Sequence, residues 1–415
     1  MIYPKNWHEY RLEDIGEIIG GGTPSTKIDS YYNGKIAWIT PRDLSNHNEV
    51  YISKGERSIS EKGLKNSSAR LMPQETVLFT SRAPIGYIAI AKNEVSTNQG
   101  FKSIICNKNA NNKFIYYWLK HNKDMIESLA SGSTFKEISG GVLKLIKIIL
   151  PSVEEQIKIS NILYKLDSKI ELLQKQNDTL EKIGQTIFKQ WFVDFEFPNE
   201  EGKPYKSSGG EMIESELGEI PKGWSINNYG NLLEFERGIE PGSRNYLDKP
   251  EEDTVLFYRV GDLLSEESRV YVKKNIIKNK ISNLQNVLVS FDGTVGRVKI
   301  GINGSYSTGI RKVYSSDGSF SNGYIFFLMN SKFIQDKIVE FAKGTTILHA
   351  GEAVKNFITA IPSEQTRSNF NVFSDKIYLK LLNNLNAIKS LQKTRDLLLP
   401  KLMSGQIRVP LEVQE

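Results

Sequence analysis

Two periods of hydrophobic and polar positions alternate along the chain. Val77-Leu-Phe79, Tyr87-Ile-Ala-Ile-Ala91 and Lys102-Ser-Ile-Ile105 are short β-prone runs separated by Gly, Pro and Asn, which is how strands are spaced. Val287-Leu-Val289, Arg297-Val-Lys-Ile300 and Arg311-Lys-Val-Tyr314 repeat the arrangement. Helix-like stretches follow each set, at 113–130 and 324–343. After Pro151 the pattern changes to a heptad. Leu163, Leu166, Ile170, Leu173, Asn177, Leu180, Gly184, Ile187 and Trp191 fall at alternating spacings of three and four. Phe370, Ser374, Ile377, Leu381, Asn384, Ile388, Leu391, Arg395, Leu398 and Leu402 follow the same rule. Ser152-Val-Glu-Glu155 reads as a capping box opening the first of these helices, with Ser152 at N-cap and Glu155 at N3. From Glu154 to Val193 that helix would be roughly 60 Å long at about 1.5 Å per residue.

The second half of the chain repeats the first. Lys5-Asn-Trp7 matches Lys222-Gly-Trp224, and Trp38-Ile-Thr-Pro-Arg-Asp-Leu44 matches Phe257-Tyr-Arg-Val-Gly-Asp-Leu263. Val77-Leu-Phe-Thr-Ser-Arg-Ala-Pro-Ile-Gly86 matches Val287-Leu-Val-Ser-Phe-Asp-Gly-Thr-Val-Gly296. Ser96-Thr97, Gly132-Ser-Thr134 and Leu150-Pro-Ser152 match Ser307-Thr308, Gly344-Thr-Thr346 and Ile361-Pro-Ser363. Matches in one order at a nearly constant offset imply duplication, and each half is long enough for its own core. The expected fold is α+β: two tandem-repeat globular domains with mostly antiparallel, curved sheets. Two long helices join them, forming an antiparallel coiled coil with pseudo-two-fold symmetry. The alternative for each helix is an ordinary amphipathic element lying on its own domain. The boundaries read as domain one at 1–150, its helix at 151–197, a Pro/Gly/Ser-rich linker at 198–220, domain two at 221–361, its helix at 362–405 and a tail at 406–415.

Composition narrows the classes. With 39% hydrophobic and 25% charged residues the chain is a folded type, and a net charge of +6 permits a polyanionic partner without demanding one. A single cysteine, Cys106, rules out an internal disulfide and suits a reducing compartment. The N-terminus shows no signal peptide. The most apolar stretch, Leu143 to Leu150, is interrupted by Lys144 and Lys147 and falls short of the about 20 residues that span a bilayer. A cytoplasmic protein with no membrane partner is expected.

Catalytic signatures are missing. Gly34-Lys-Ile36 lacks the rest of a phosphate-binding loop, and Gly20-Gly-Gly-Thr-Pro-Ser25 reads as a flexible surface loop or as backbone approaching a phosphate. His8, His47, His121 and His349 are scattered, so no metal cluster is expected. Glu352-Ala-Val-Lys355 has a nuclease-like Glu-x-Lys spacing that the other repeat does not reproduce.

Several segments resemble the specificity (S) subunit of type I restriction–modification enzymes. They are Gly20-Gly-Gly-Thr-Pro-Ser25 followed by Ile36-Ala-Trp-Ile-Thr-Pro-Arg-Asp-Leu44, and Leu150-Pro-Ser-Val-Glu-Glu-Gln156. Phe188-Lys-Gln-Trp-Phe-Val-Asp-Phe195 and Arg395-Asp-Leu-Leu-Leu-Pro-Lys-Leu-Met-Ser-Gly-Gln-Ile407 complete the set. The second junction, Ile361-Pro-Ser-Glu-Gln365, is one residue shorter than the first. The resemblance implies a non-catalytic protein with two target recognition domains, each reading a few base pairs of double-stranded DNA. It implies partnership with two S-adenosylmethionine-dependent methyltransferase (M) subunits and two ATP- and Mg²⁺-dependent restriction (R) subunits. The chain itself would bind no cofactor and no metal. Differing domains imply an asymmetric bipartite site, with the helices as the ruler. The competing readings are a nuclease with an unrecognised active site and a structural coiled-coil scaffold without a DNA role.

Base readout calls for Arg, Lys, Asn or Gln, and phosphate contact for Lys, Arg, Ser, Thr or backbone amides. Loops at matching repeat positions nominate Lys27, Arg42, Arg82, Asn98, Gln99 and Lys136, with Ser81, Ser133 and Thr134 for phosphates. In the second half they nominate Arg237, Arg244, Arg259, Arg297, Arg311 and His349, with Thr294, Thr308, Thr345 and Thr346 for phosphates.

Overall fold

A computed structural model describes residues 3–82, 84–132, 136–265, 268, 270–345 and 347–410. It divides into two compact units, Met1–Leu173 with Ile388–Glu415, and Gln174–Ala387. The long helices Val153–Phe192 and Glu364–Met403, 40 residues each, contribute to both.

In the first unit five strands run in the order Gly16–Gly20, Lys102–Cys106, Val77–Phe79, Ile88–Ala91, Tyr51–Ile52. All neighbours are antiparallel except the last pair. A smaller sheet places Tyr32–Ile39 between Arg57–Ile59, antiparallel, and Val95–Thr97, parallel. The ribbon His8–Arg11 with Lys147–Leu150 holds the N-terminus beside the strand that leads into the first long helix. Every side chain of Val77–Phe79 is buried, so this central strand reads as a continuous apolar run. Cys106 ends its strand half-buried, and burial pushes its thiol up to about 12, which keeps it protonated and unreactive.

The second unit repeats the plan. Glu234–Arg237, Ile310–Tyr314, Val287–Ser290 and Val298–Lys299 form one four-stranded sheet, all antiparallel. In a second four-stranded sheet Thr254–Tyr258 pairs parallel with Gly304–Tyr306 and antiparallel with Tyr271–Lys273, and Ile281–Ser282 pairs antiparallel with Gly304–Tyr306. The ribbon is Ser225–Asn228 with Ile358–Ile361. The duplication seen in the sequence is therefore a duplication of topology that includes the parallel pairs Tyr32–Ile39 with Val95–Thr97 and Thr254–Tyr258 with Gly304–Tyr306, while the parallel pair Tyr51–Ile52 with Ile88–Ala91 belongs to the first unit alone among the described residues.

The helical stretches expected at 113–130 and 324–343 each break in two: Asn112–His121 with Lys123–Ser128, and Asn322–Met329 with Lys332–Glu340. An asparagine stands at each break. The Asn122 amide donates to the Trp118 carbonyl at 2.8 Å and that of Asn330 to the Phe326 carbonyl at 2.9 Å. Short polar side chains that bond locally to the backbone compete with helix continuation, and apolar periodicity alone does not reveal the interruption.

Both readings of the long helices are realised on the same residues. Within each unit a stretch of the first helix packs antiparallel on a stretch of the second. In the second unit Asn177 faces Asn384 while Phe188 faces Phe370, ring centroids 5.6 Å apart. In the first unit Leu163 shares a core with Leu399 and Leu402, and Asp167 meets Arg395. Of the expected seam, Leu163, Ile170, Leu173, Asn177, Ile377, Leu381, Asn384, Ile388 and Leu402 are buried, and Leu166, Leu180, Ile187, Leu391 and Leu398 are half-buried. The buried stripe is wider than the seam. Asp167, Phe188, Tyr378, Leu382 and Leu399 are buried beside it, and they include the residues that reach the unit's own globular part. Tyr117 donates to Asp167 at 2.7 Å, Phe188 meets Tyr324 edge-on, and Tyr378 packs on Phe326.

The cap at Ser152 is half of the expected box. Its hydroxyl accepts from the Glu155 amide at 3.3 Å, but the Glu155 carboxylate is taken by Arg408 at 2.8 and 3.1 Å. Glu155 is fully buried, and a guanidinium fork neutralises it better than a single backbone amide would.

The two seam asparagines are each other's partners: Asn384 donates to Asn177 at 2.8 Å, both buried. Asn177→Leu alone strands the Asn384 amide and is expected to cost about 1–3 kcal/mol. The Asn177→Leu/Asn384→Leu double variant should melt above either single variant, because two matched apolar side chains leave nothing unsatisfied. Additive losses in a thermal-melting cycle would show that the pair contributes no coupling.

Candidate nucleic-acid interface

The same backbone construction stands at one place in both units. After the central strand, the Thr80 hydroxyl donates to the Pro84 carbonyl and accepts from the Tyr87 amide, each at 2.8 Å. Ser290 does the same with Thr294 at 2.6 Å and Arg297 at 2.9 Å. The turn closes through a glycine in the left-handed region, Gly86 at φ 93° and Gly296 at φ 82°, which a side chain would strain. A second segment is stitched to this turn. Ile138 donates its amide to the Ser81 carbonyl, and Ala350 to that of Phe291. Immediately before it, Ser131 and Glu137 exchange backbone bonds, as Lys343 and His349 do. Each unit thus presents a turn and a hairpin loop joined by backbone.

Side chains at matching points of this construction differ. In the first unit Arg82 meets Glu137 at 3.4 Å, with Lys102 at 3.9 Å from the same carboxylate. In the second, Asp292 stands where Arg82 does and His349 where Glu137 does, with 2.8 Å between His349 Nδ1 and Asp292 Oδ1. Arg237 lies 3.8 Å from Asp292 and donates from Nε to the Thr308 carbonyl at 3.1 Å. Arg311 lies over the Phe291 ring at 4.6 Å. Burial, then the neighbouring Arg237, lowers its pKa, although a guanidinium stays charged at neutral pH.

The structure therefore gathers Arg82 on one construction, and Arg237, Thr308, Arg311 and His349 on the other. Asn98 and Gln99 lie in the turn before Lys102. The Asn98 side chain accepts from the Gly100 amide at 2.9 Å, and Gln99 accepts from the Thr23 hydroxyl. Lys27, Arg42, Gln99, Lys136, Arg244, Thr294 and Thr345 are exposed, and Arg297 is half-buried. Arg42 faces Glu56 at 3.6 Å. Arg259 is exposed but grips Asp262 with two bonds, at 3.0 and 3.1 Å, so its fork is occupied within its own turn. Ser81 departs from expectation: it is fully buried and donates to the Gly100 carbonyl at 3.2 Å, which leaves no hydroxyl for a phosphate. Ser133, Thr134 and Thr346 lie outside the described residues.

The glycine run is also not the open loop expected from its composition. A Cβ at Gly21 would lie 2.0 Å from the Asn98 carbonyl oxygen, and one at Gly22 2.2 Å from the Ala69 amide nitrogen. The Gly22 amide donates to Thr97, and the Trp38 indole donates to the Gly22 carbonyl at 3.0 Å. These glycines let backbone lie on backbone inside the fold.

Glu137, Asp292 and Lys102 were not singled out by sequence reasoning. The signal for Lys102 is Gly100-Phe-Lys102 beside Gly309-Ile-Arg311. Gly100 and Gly309 accept from equivalent amides, of Ser81 and Phe291, which fixes that register. A small shift of offset after Ser96-Thr97 hides the match along the chain. Among the described residues no group of three His, Cys, Asp or Glu is arranged to hold a metal, and no helix is long and apolar enough to cross a membrane. Glu352 and Lys355 form an exposed ion pair at 2.7 Å on one short helix.

Comparison with known proteins gives a consistent result. The family model for the type I restriction modification DNA specificity domain matches residues 4–182. The type I restriction enzyme MjaIX specificity subunit of Methanocaldococcus jannaschii is 38% identical over 98% of this chain and 94% of its own. The HindI specificity subunit of Haemophilus influenzae is 23% identical over 97% of this chain and all of its own. The crystal structure of a type I restriction-modification system S subunit from M. genitalium superposes with a TM-score of 0.61, covering 97% of this chain and 98% of that one at 16% identity, which shows a shared fold. With a relative this similar along nearly its whole length, the chain belongs to the type I restriction enzyme specificity subunits.

Proposed function

We propose that this chain is the non-catalytic reader of a type I restriction–modification complex in the cytoplasm, and that it recognises an asymmetric bipartite DNA site. The observation that carries this reading is the repeated turn-and-hairpin construction with different side chains on it: one backbone frame, two chemistries, and so two different half-sites. The long helices serve as the ruler. Half-sites read from one face of B-DNA sit near one turn apart, about 10 base pairs, and a helical spacer sets that separation independently of what the domains read. Two M subunits bring S-adenosylmethionine and two R subunits bring ATP and Mg²⁺, and this chain holds none of these.

Long-read methylation sequencing of a host expressing the chain with its M subunit is expected to return one motif of two dissimilar half-sites around a fixed gap. A single continuous motif, or two identical half-sites, would contradict the proposal. DNA cleavage by the pure chain with Mg²⁺ alone would favour a nuclease instead. Within the first unit, Arg82→Ala is expected to weaken the cognate duplex by about 1–3 kcal/mol, the worth of a good base contact, and random DNA far less. Equal losses on both in a binding titration would make Arg82 a phosphate contact.

A further inference from the structure

We infer that the two paired carboxylates, Glu137 and Asp292, are specificity-determining residues, each setting one base position of its own half-site. The inference rests on the proposed function and names where in each unit the discrimination is made.

The pairs occupy one structural position, with the carboxylate moved from the hairpin to the turn. Arg82 on the turn faces Glu137 on the hairpin in the first unit, and Asp292 on the turn faces His349 on the hairpin in the second. Both are seated by the same isolated bridges, Arg82 with Glu137 and Asp292 with His349. Holding turn and hairpin together does not need them, because backbone bonds from Ile138 to Ser81 and from Ala350 to Phe291 already do so. Nor is stability a sufficient reason for the first pair. Arg82 and Glu137 are 37% and 39% exposed, and an ion pair so open to water contributes little.

A carboxylate in a basic neighbourhood that approaches DNA is costly unless it is used. Glu137 sits with Arg82 and Lys102, and Asp292 with Arg237 and His349. Two uses are open to it. It orients the neighbouring donor, as Arg82 or as His349 and Arg237, so that the donor meets a base edge at a set angle. It also repels acceptor atoms, such as guanine O6 and thymine O4, while accepting from the donors cytosine N4 or adenine N6. Rejection of the wrong partner by an unmatched charge is specificity by repulsion. A phosphate-only role fails on the same chemistry, since a carboxylate repels phosphate. Exchanging the two members between turn and hairpin moves donor and acceptor across the construction, which changes the base pair preferred without changing the backbone.

The test uses the full chain expressed with its M subunit, as wild type, Glu137→Gln and Asp292→Asn, read by base-resolved methylation of the host genome. Each substitution keeps shape and removes charge. Glu137→Gln is expected to broaden one position of one half-site, with discrimination there falling roughly tenfold, and to leave the other half-site and the gap unchanged. Asp292→Asn is expected to broaden one position of the other half-site. Titration of the complexes on duplexes changed only at that position should show the same fall. A wild-type motif that both variants reproduce unaltered would overturn the inference alone, as would a uniform change in affinity for every sequence, which marks a general charge effect. A wild-type genome without a bipartite motif would overturn the proposed function and this inference with it.

Discussion

Arg395→Ala is expected to lower the stability of the unit built from Met1–Leu173 and Ile388–Glu415 by about 3–5 kcal/mol, the loss typical of removing one partner from a buried ion pair. Arg395 lies 2.7 Å from Asp167, with side-chain exposures of 16% and 7%. Tyr117 donates to the other Asp167 oxygen at 2.7 Å. The aspartate thus joins the first long helix to the helix Asn112–His121 and to the second long helix. Lys120 stands nearby, and burial lowers its pKa. Without the guanidinium, Asp167 would keep a single hydroxyl bond in a site that water scarcely reaches. Replacing both partners, as Asp167→Leu with Arg395→Leu, removes the stranded charge and should recover most of the loss. The measurement is the shift of this unit's urea transition. A loss under about 1 kcal/mol for Arg395→Ala, the scale of an exposed pair, would count against the account.

Gly184→Leu is expected to destabilise the unit Gln174–Ala387 by on the order of 3 kcal/mol, although heptad logic favours the substitution. Gly184 falls on the seam, where leucine is the ordinary occupant and glycine costs about 1 kcal/mol in helix propensity relative to alanine. The structure reverses the sign. A Cβ on Gly184 would lie 2.1 Å from Phe327 Cζ, and Phe327 is fully buried in the aromatic core formed with Phe188, Phe192 and Phe370. Gln185 donates to the Phe327 carbonyl at 3.1 Å, so the long helix is tied against that segment. The ring has nowhere to go in a close-packed interior, and overpacking exceeds the gain in propensity. Gly184→Ala should show the same sign with a smaller loss, since its single methyl meets the same ring. A rise in melting temperature for either variant would sink the argument.

The duplication, the seams and the strand runs were legible because each is a local or periodic signal. A strand with a period of two and a helix with a seam every three or four residues advertise themselves along the chain. The capping serine at 152 and the paired asparagines were legible for the same reason. What each asparagine bonds to was not, since 207 residues separate Asn177 from Asn384. Glu155 shows the limit most clearly: its spacing from Ser152 fits a capping box, but Arg408, far along the chain, takes its carboxylate.

The candidate interface divides the same way. Arg82 and His349 were found from matching loops, because matching positions in a repeat are a pattern in one dimension. Their partners Glu137 and Asp292 were not, because acidic residues are not the usual readers of DNA and only the fold brings each to its partner. Ser81 and the glycines at 21 and 22 resembled surface chemistry by composition, whereas the packing turns them inward. By itself the sequence determined that there are two copies of one unit, each with its helix, and that the copies differ at their loops. Tertiary structure alone decided which charges meet, which polar groups are spent internally and where a glycine must remain. The physical reason is that period and propensity depend on neighbours in the chain, while burial and charge pairing depend on neighbours in space.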